Sequence, residues 1–124
     1  MDEVAPTQAW AVDAVVGVLG EREGLGLDVC LELRRVGEFL LDVADEACIG
    51  PGTARVTMAA AAVYAADRLT EGKAVTQQAV ADAASTVVAT SKSKVNGYSR
   101  EVVNAYETRY GTRDVVEVMA RRLA

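Results

Sequence analysis

The chain has 124 residues, eighteen acidic and thirteen basic side chains, no histidine, and a net charge of −5. Its length predicts one domain over residues 1–124 with a hydrophobic core of its own. It contains no apolar run of transmembrane length and no basic, apolar signal segment at its start. We therefore expect a soluble globular protein that stays in the cytoplasm.

The lack of histidine argues against catalysis, because it removes the commonest general base and metal ligand. The sequence also has no P-loop, nucleophile elbow, Cys-x-x-Cys motif or glycine fingerprint. Acidic clusters such as Asp42, Asp45 and Glu46 are typical of solvated helix faces. We expect a protein that is not an enzyme and that needs neither a cofactor nor a metal.

Two helices are predicted in the first half of the chain. Thr7 can cap a helix over residues 8–19, which ends in the turn segment 20–24. Asp28 can cap a second helix over residues 29–48, and the Gly50-Pro51-Gly52 segment ends it. The second helix carries an apolar stripe at helical spacing, made of Val29, Leu33, Val36, Leu40, Val43 and Ala47.

An alanine-rich helix is predicted over residues 54–70, with Thr53 as its cap. Alanine has the best helix propensity, and its small side chain lets neighbouring helices approach closely. Two sides of this helix are apolar: Val56, Ala59, Ala60 and Val63 on one, and Met58, Ala61, Ala62 and Ala65 on the other. Such a helix belongs at the centre of a bundle.

Three more helices are predicted after Gly72, which breaks the chain. Thr76 caps a short helix over residues 77–85, and Ser91 caps a helix over residues 92–109 that stops at Gly111. Thr112 caps a last helix over residues 113–123. The fold class is therefore all-α, with five or six helices around the alanine-rich helix. The short helix followed by a basic helix has the layout of a helix-turn-helix.

The alanine-rich helix and the two helices after it resemble the cyclin-like repeat of the transcription factor IIB family, which includes archaeal transcription factor B. The resemblance covers residues 25–109, about one repeat. The residues that match are Ala60, Ala61, Ala62, Val63, Tyr64 and Ala66 in the first helix, Thr76, Gln77, Val80, Ala81, Ala83 and Ala84 in the second, and Val95, Arg100, Glu101 and Val102 in the third. It implies a cyclin-like bundle whose third helix enters the major groove beside a TATA element.

The sequence departs from the family pattern in three ways. Arg55 stands where the family usually has proline, and about four extra residues separate Ala84 from Val95. Only one repeat is present, without a zinc ribbon. The resemblance therefore implies an accessory DNA-binding or transcription-linked protein, not a complete initiation factor. It also implies the TATA-binding protein or another transcription protein as a partner.

The helix after Ser91 holds the candidate DNA-binding residues, because lysine and arginine neutralise phosphates while asparagine and arginine read base edges. These residues are Lys92, Lys94, Asn96, Ser99, Arg100, Asn104 and Arg109. Five of them are expected near one face of the helix, opposite Val95, Val102 and Tyr106: Lys92, Asn96, Ser99, Arg100 and Asn104. Residues 91–113 carry five bases against two acids. Gly97 interrupts this helix, either to let DNA approach its backbone or because packing tolerates a glycine there.

Other interpretations of the charge pattern remain open. The polar face can be plain solvated surface, and the domain can be a helical protein–protein interaction module without DNA binding. Residues 1–67 carry twelve acids and four bases, a net charge of −8, which would suit a basic protein partner. A further alternative is a homodimer, in which two copies of the single repeat take the place of the two tandem repeats of the transcription factor IIB family.

Two remaining features concern redox state and source. Cys30 and Cys48 lie within one predicted helix, roughly 27 Å apart along its axis, too far for a disulfide. We expect both to be reduced and mostly buried.

An acidic, lysine-poor chain with 42 alanine and valine residues is typical of a halophilic archaeon. An ordinary acidic protein from a GC-rich genome is the alternative.

Overall fold

The computed structural model describes residues 8–70 and 73–123. In this part of the chain the protein is all-α, as the sequence predicts, and no strand is present. The elements are α1 (Gln8–Glu23), α2 (Leu27–Glu46), α3 (Arg55–Leu69), α4 (Gln77–Ala84), α5 (Lys92–Tyr110) and α6 (Val115–Leu123). The predicted cap at Thr7 and the predicted break at Gly72 lie outside the described residues.

Helix α3 is the centre of the bundle, as its alanine-rich sequence predicts. It packs against α1, α2, α4 and α5. Every residue from Val56 to Asp67 is buried except Tyr64, which is half-buried. Because most of these side chains are methyl groups, four helices can approach the same backbone. The bundle core therefore lies around α3.

Asp67 is the buried charged residue of α3. Its Oδ1 accepts a hydrogen bond from Ala74 N at 2.7 Å, and its Oδ2 accepts one from Val75 N at 3.3 Å. The Val75 N–H is buried and would otherwise lack a partner, while Ala74 lies in an exposed part of the same segment. Asp67 thus fixes the chain that leads into α4.

Helix α1 is four residues longer than predicted and passes through Gly20. A Cβ atom at Gly20 would lie 2.7 Å from Cys30 Sγ, so this glycine permits close contact with α2 and does not end α1. Glu21 and Arg22 are good helix formers, and they continue the helix. Gly24, with a φ of +65°, supplies the left-handed conformation of the turn.

Helix α2 begins after Gly26, so Asp28 lies in its first turn and is not the cap. The helix ends at Glu46, and Cys48 lies beyond it with a φ of 57°. At this end Ile49 N donates to Ala44 O at 3.0 Å, and half-buried Ile49 turns back to the core. The predicted burial of both cysteines is therefore wrong for Cys48, which is exposed, whereas Cys30 is half-buried on α2. Both thiols are free.

The apolar stripe of α2 is largely confirmed. Its four central members are buried: Leu33, Val36, Leu40 and Val43. Val29 at the start of the helix is half-buried, while Ala47 caps the carboxyl end and is exposed. The stripe therefore packs on the core over the middle of the helix.

The predicted cap at Thr53 is wrong. Ala54 occupies the N-cap position of α3 and makes no side-chain cap hydrogen bond. The Thr53 hydroxyl instead bonds to the Tyr98 hydroxyl of α5, at 3.0 Å. The start of α3 is tied to the end of α2 by a bidentate pair, in which Arg55 Nη1 and Nη2 donate to the two carboxylate oxygens of Asp45 at 2.8 and 3.0 Å.

Caps in the second half of the chain agree better with the prediction. Thr76 accepts from Ala79 N and Ser91 accepts from Lys94 N, both at 3.1 Å. Gly111, with a φ of 70°, ends α5 as predicted. Thr112 is not the last cap, because α6 begins at Val115 and the Asp114 carboxylate accepts from Glu117 N at 3.1 Å. Aspartate and threonine are both favoured at this position, so composition alone did not decide between them.

Candidate nucleic-acid interface

Helices α4 and α5 form one packed unit on the central helix. The buried face of α4 consists of Val80, Ala81, Ala83 and Ala84. This face meets α1, α3 and α5. A helix of eight residues has little stability by itself, so tertiary packing holds α4 in place.

Seven residues connect α4 to α5, more than the three or four of a compact helix-turn-helix. Hydrogen bonds close this connection on itself: Ser85 Oγ donates to Thr90 O at 3.0 Å, and Thr90 N donates to Ser85 Oγ at 3.1 Å. The Thr90 hydroxyl also bonds to the hydroxyl of buried Thr57 on α3, at 3.0 Å. The extra residues therefore form a fixed loop that attaches the start of α5 to the central helix.

The buried stripe of α5 includes a residue that the sequence placed on the DNA face. Val95, Ser99, Val102 and Tyr106 are all buried. Ser99 is only 3% exposed, and its hydroxyl donates to Asn96 O at 3.0 Å. At 3.6 residues per turn, position 99 lies on the side of positions 95 and 102. Its predicted place opposite Val95 and Val102 is therefore wrong.

Three cations are exposed around the first half of α5, and we name the three together the basic face: Lys92, Lys94 and Arg100. Lys92 and Lys94 are two residues apart and therefore point to different sides of the helix. Within the described part of the chain, none of the three takes part in an ion pair. The first turn of α5 contains no acid. Two lysines thus lie at the positive end of the helix dipole, where an anion would be stabilised.

The other candidate residues differ in their surroundings. Asn104 is exposed. Asn96 is half-buried, and its Oδ1 accepts a hydrogen bond from Gln77 Nε2 of α4 at 2.8 Å. Arg109 pairs with Glu46 of α2, and its guanidinium lies over the Tyr110 ring. Arg109 is also nine residues beyond Arg100, roughly 14 Å along the axis, so it lies apart from the basic face.

Gly97 lies among the exposed residues of the same half of α5. A Cβ atom built on it would meet no atom within 4 Å. Packing within the described protein therefore does not require a glycine at this position, although glycine costs about 1 kcal/mol relative to alanine inside a helix. The open space at Gly97 is compatible with both explanations that the sequence offers: the approach of another molecule to the backbone, and a glycine that the packed helix tolerates.

Sequence reasoning missed two parts of this unit. Gln77 belongs to the Thr-Gln motif, and its distance of 19 residues from Asn96 gave no sign that the two amides would bond. The pair Thr57 and Thr90 lies 33 residues apart. Isolated threonines carry no periodic signal, so only the fold reveals this contact.

The described residues contain no group of three or more His, Cys, Asp or Glu side chains that could hold a metal ion. No helix in the same ranges is long and apolar enough to cross a membrane. No protein-family model matches the chain, and comparisons with curated proteins and with solved structures find no significant match.

Proposed function

We propose that this protein is a stand-alone, transcription factor IIB-like domain that contacts DNA through the first half of α5. The observation that supports the proposal most directly is the basic face, because its three exposed cations have no ion-pair partner among the described residues. A cation that is not engaged in an ion pair can neutralise a phosphate without first breaking an existing pair.

In this proposal the residues of α5 have separate tasks. Lys92 and Lys94 contact phosphates beside the amino end of the helix, where the dipole also favours an anion. Arg100 and Asn104 lie two and three turns further along, and their side chains can bond bidentately to guanine and adenine edges in the major groove. Gly97 lets the sugar-phosphate backbone approach the helix between them.

The acidic remainder of the protein limits how much DNA one copy can hold. Residues 1–67 have a net charge of −8, which repels a duplex from the surface that they form. Few phosphate contacts also mean weak binding at high salt. Tight association in this proposal therefore requires a second promoter-bound protein, such as the TATA-binding protein, or a homodimer.

Charge reversal on the basic face tests the proposal. The double variant Lys92→Glu, Arg100→Glu removes two cations, and fluorescence anisotropy with labelled genomic duplexes measures binding over a range of KCl concentrations. Each lost phosphate contact should lower the salt slope by about 1. We expect weaker binding and a flatter salt dependence together.

The matched control is Arg22→Glu, Arg68→Glu, which makes the same charge change at exposed residues of α1 and α3. A general electrostatic effect would alter both double variants equally. That outcome, or a wild-type protein that binds no duplex at any salt concentration with candidate partners present, would contradict the proposal.

A further inference from the structure

An open groove of about 1010 Å³ runs between α2 and α6, on a different part of the surface from the basic face. Its apolar lining consists of Leu31, Val36, Phe39, Val116, Met119 and Ala120. Val36 and Phe39 are 2% and 5% exposed and form the floor. Leu31 on α2 and Val116 on α6 remain 38% and 45% exposed. Two facing helices therefore present uncovered apolar side chains to the same space.

The sequence of α6 explains why the groove stays open. Val115 and Val118 point to the core and are buried. Val116, on another side of the helix, and half-buried Met119 line the groove. A helix that only completed the bundle would not need an apolar residue at position 116.

Acidic side chains dominate the polar lining of the groove. The acids are Asp28, Glu32, Glu38 and Asp42, and the bases are Arg35 and Arg122. Arg122 already lies over the Phe39 ring, 4.9 Å from its centroid. Partial burial raises the pKa of Glu38 above its usual range, and the nearby carboxylates of Asp13 and Asp42 add to this effect. Negative charge is thus crowded along the α2 wall.

We infer that the groove between α2 and α6 binds a basic amphipathic helix of a partner protein. Helix α6 has nine residues, so the wall it forms is roughly 13 Å long, enough for two to three turns of a bound helix. Apolar anchors at positions i, i+3 or i+4, and i+7 of such a helix would cover Leu31 and Val116. Its lysines and arginines would face the acids of α2.

The same charges argue against the other occupants. A second copy of this chain that docked by the same surface would set acid against acid, which disfavours a symmetric dimer. A nucleic acid would meet the same repulsion. The inference does not rest on the proposed DNA contact, since the two surfaces share no residue.

Three synthetic helical peptides test the inference with the whole chain. They share one apolar face and carry lysine, glutamine or glutamate at every polar position, and isothermal titration calorimetry measures their affinity. We expect the lysine peptide to bind most tightly and the glutamate peptide not to bind. Leu31→Ser and Val116→Ser, at residues already partly exposed, should each weaken the lysine peptide about tenfold.

Glu32→Lys should weaken the lysine peptide about fivefold, and its matched control is Glu21→Lys, the same charge change on α1 outside the groove. Sedimentation of the free protein shows whether a second copy fills the groove instead. The inference fails if the lysine peptide does not bind, if all three peptides bind alike, if Glu21→Lys weakens binding as much as Glu32→Lys, or if Leu31→Ser dissociates a dimer. These groove variants should leave DNA binding unchanged, so their outcome is separate from the fate of the DNA proposal.

Discussion

Gln77 Nε2 donates a hydrogen bond to Asn96 Oδ1 across the α4–α5 contact, at 2.8 Å. The bond joins the second residue of the Thr-Gln motif to a residue that the sequence assigned to DNA. Asn96 is half-buried, so its first task is to set the position of α5 against α4. Lys92 and Arg100, one turn before and one turn after Asn96, are then held at a fixed orientation to the bundle.

A double-mutant cycle measures this bond. Gln77→Ala and Asn96→Ala should each lower the free energy of unfolding by about 0.5 to 1.5 kcal/mol, because each removes a partner of a partly buried hydrogen bond. The double variant should be less destabilised than the sum of the two. Urea unfolding, monitored by circular dichroism, measures the free energy of unfolding of each variant. Strict additivity would show that the two amides do not interact in solution.

The packing around α3 predicts a second result. Ala61 and Ala62 are fully buried, so Ala61→Leu or Ala62→Leu forces methylenes into filled space and should cost roughly 1 to 3 kcal/mol. Ala120→Leu, at an exposed position of α6, is the control and should change stability little. Thermal unfolding compares the three variants. Unchanged stability in both α3 variants would place that surface of α3 in solvent and remove the basis of the bundle.

Glu38 predicts a pH-dependent effect. Its pKa in the folded protein lies above the ordinary 4.5, first because of partial burial and then because of Asp13 and Asp42, while Arg34 acts in the opposite direction. The stability that this group contributes is complete below its unfolded-state pKa and is lost as pH rises through the folded-state pKa. At pH 7 the charged side chain is therefore unfavourable.

Glu38→Gln should raise the free energy of unfolding at pH 7 only slightly, because the side chain is 35% exposed and solvent screens its charge. The gain should vanish below pH 4, where the carboxyl group is protonated in both states. Denaturant unfolding of the variant and of wild type at several pH values measures this difference in the free energy of unfolding. A destabilised variant at pH 7 would mean that the pairing of Glu38 with Arg34 outweighs the burial and repulsion.

Gly97→Ala separates stability from binding. The new methyl group meets no atom of the described protein, and alanine favours helix, so the variant should be about 0.8 to 1 kcal/mol more stable than wild type. In the proposed complex the same methyl group obstructs the approach of DNA, so affinity should fall. Weaker binding by a more stable protein cannot come from unfolding. A variant that gains stability and keeps full affinity would place the DNA away from Gly97.

Periodic patterns made most of the fold predictable. The alanine content of α3 and the stripe of α2 each predict burial through many residues at once, and the hydroxyl caps at Thr76 and Ser91 fix two helix starts. Single residues were less informative. A glycine such as Gly20 predicts a helix end, whereas here it permits close contact with Cys30 of another helix, which no local pattern reveals. A threonine before an alanine-rich run predicts a cap, whereas the Thr53 hydroxyl bonds to Tyr98.

The candidate site was predictable where it depends on charge and unpredictable where it depends on distant contacts. Lys92, Lys94 and Arg100 are exposed, as a basic and polar segment suggests. Ser99 is buried because the phase of the α5 helix is set by Val95 and Val102. The pairing of Arg109 with Glu46 joins residues 63 positions apart, and no local pattern indicates it.

The most direct test of the account is a titration of the isotope-labelled protein with a DNA duplex at moderate salt. Nuclear magnetic resonance monitors the amide chemical shifts at each step of the titration. The DNA proposal predicts the largest shifts at Lys92, Lys94, Gly97, Arg100 and Asn104, with the amides of α1 and of the groove between α2 and α6 nearly unchanged. Shifts spread evenly over the surface, or concentrated on α2 and α6 while α5 stays unchanged, would contradict it.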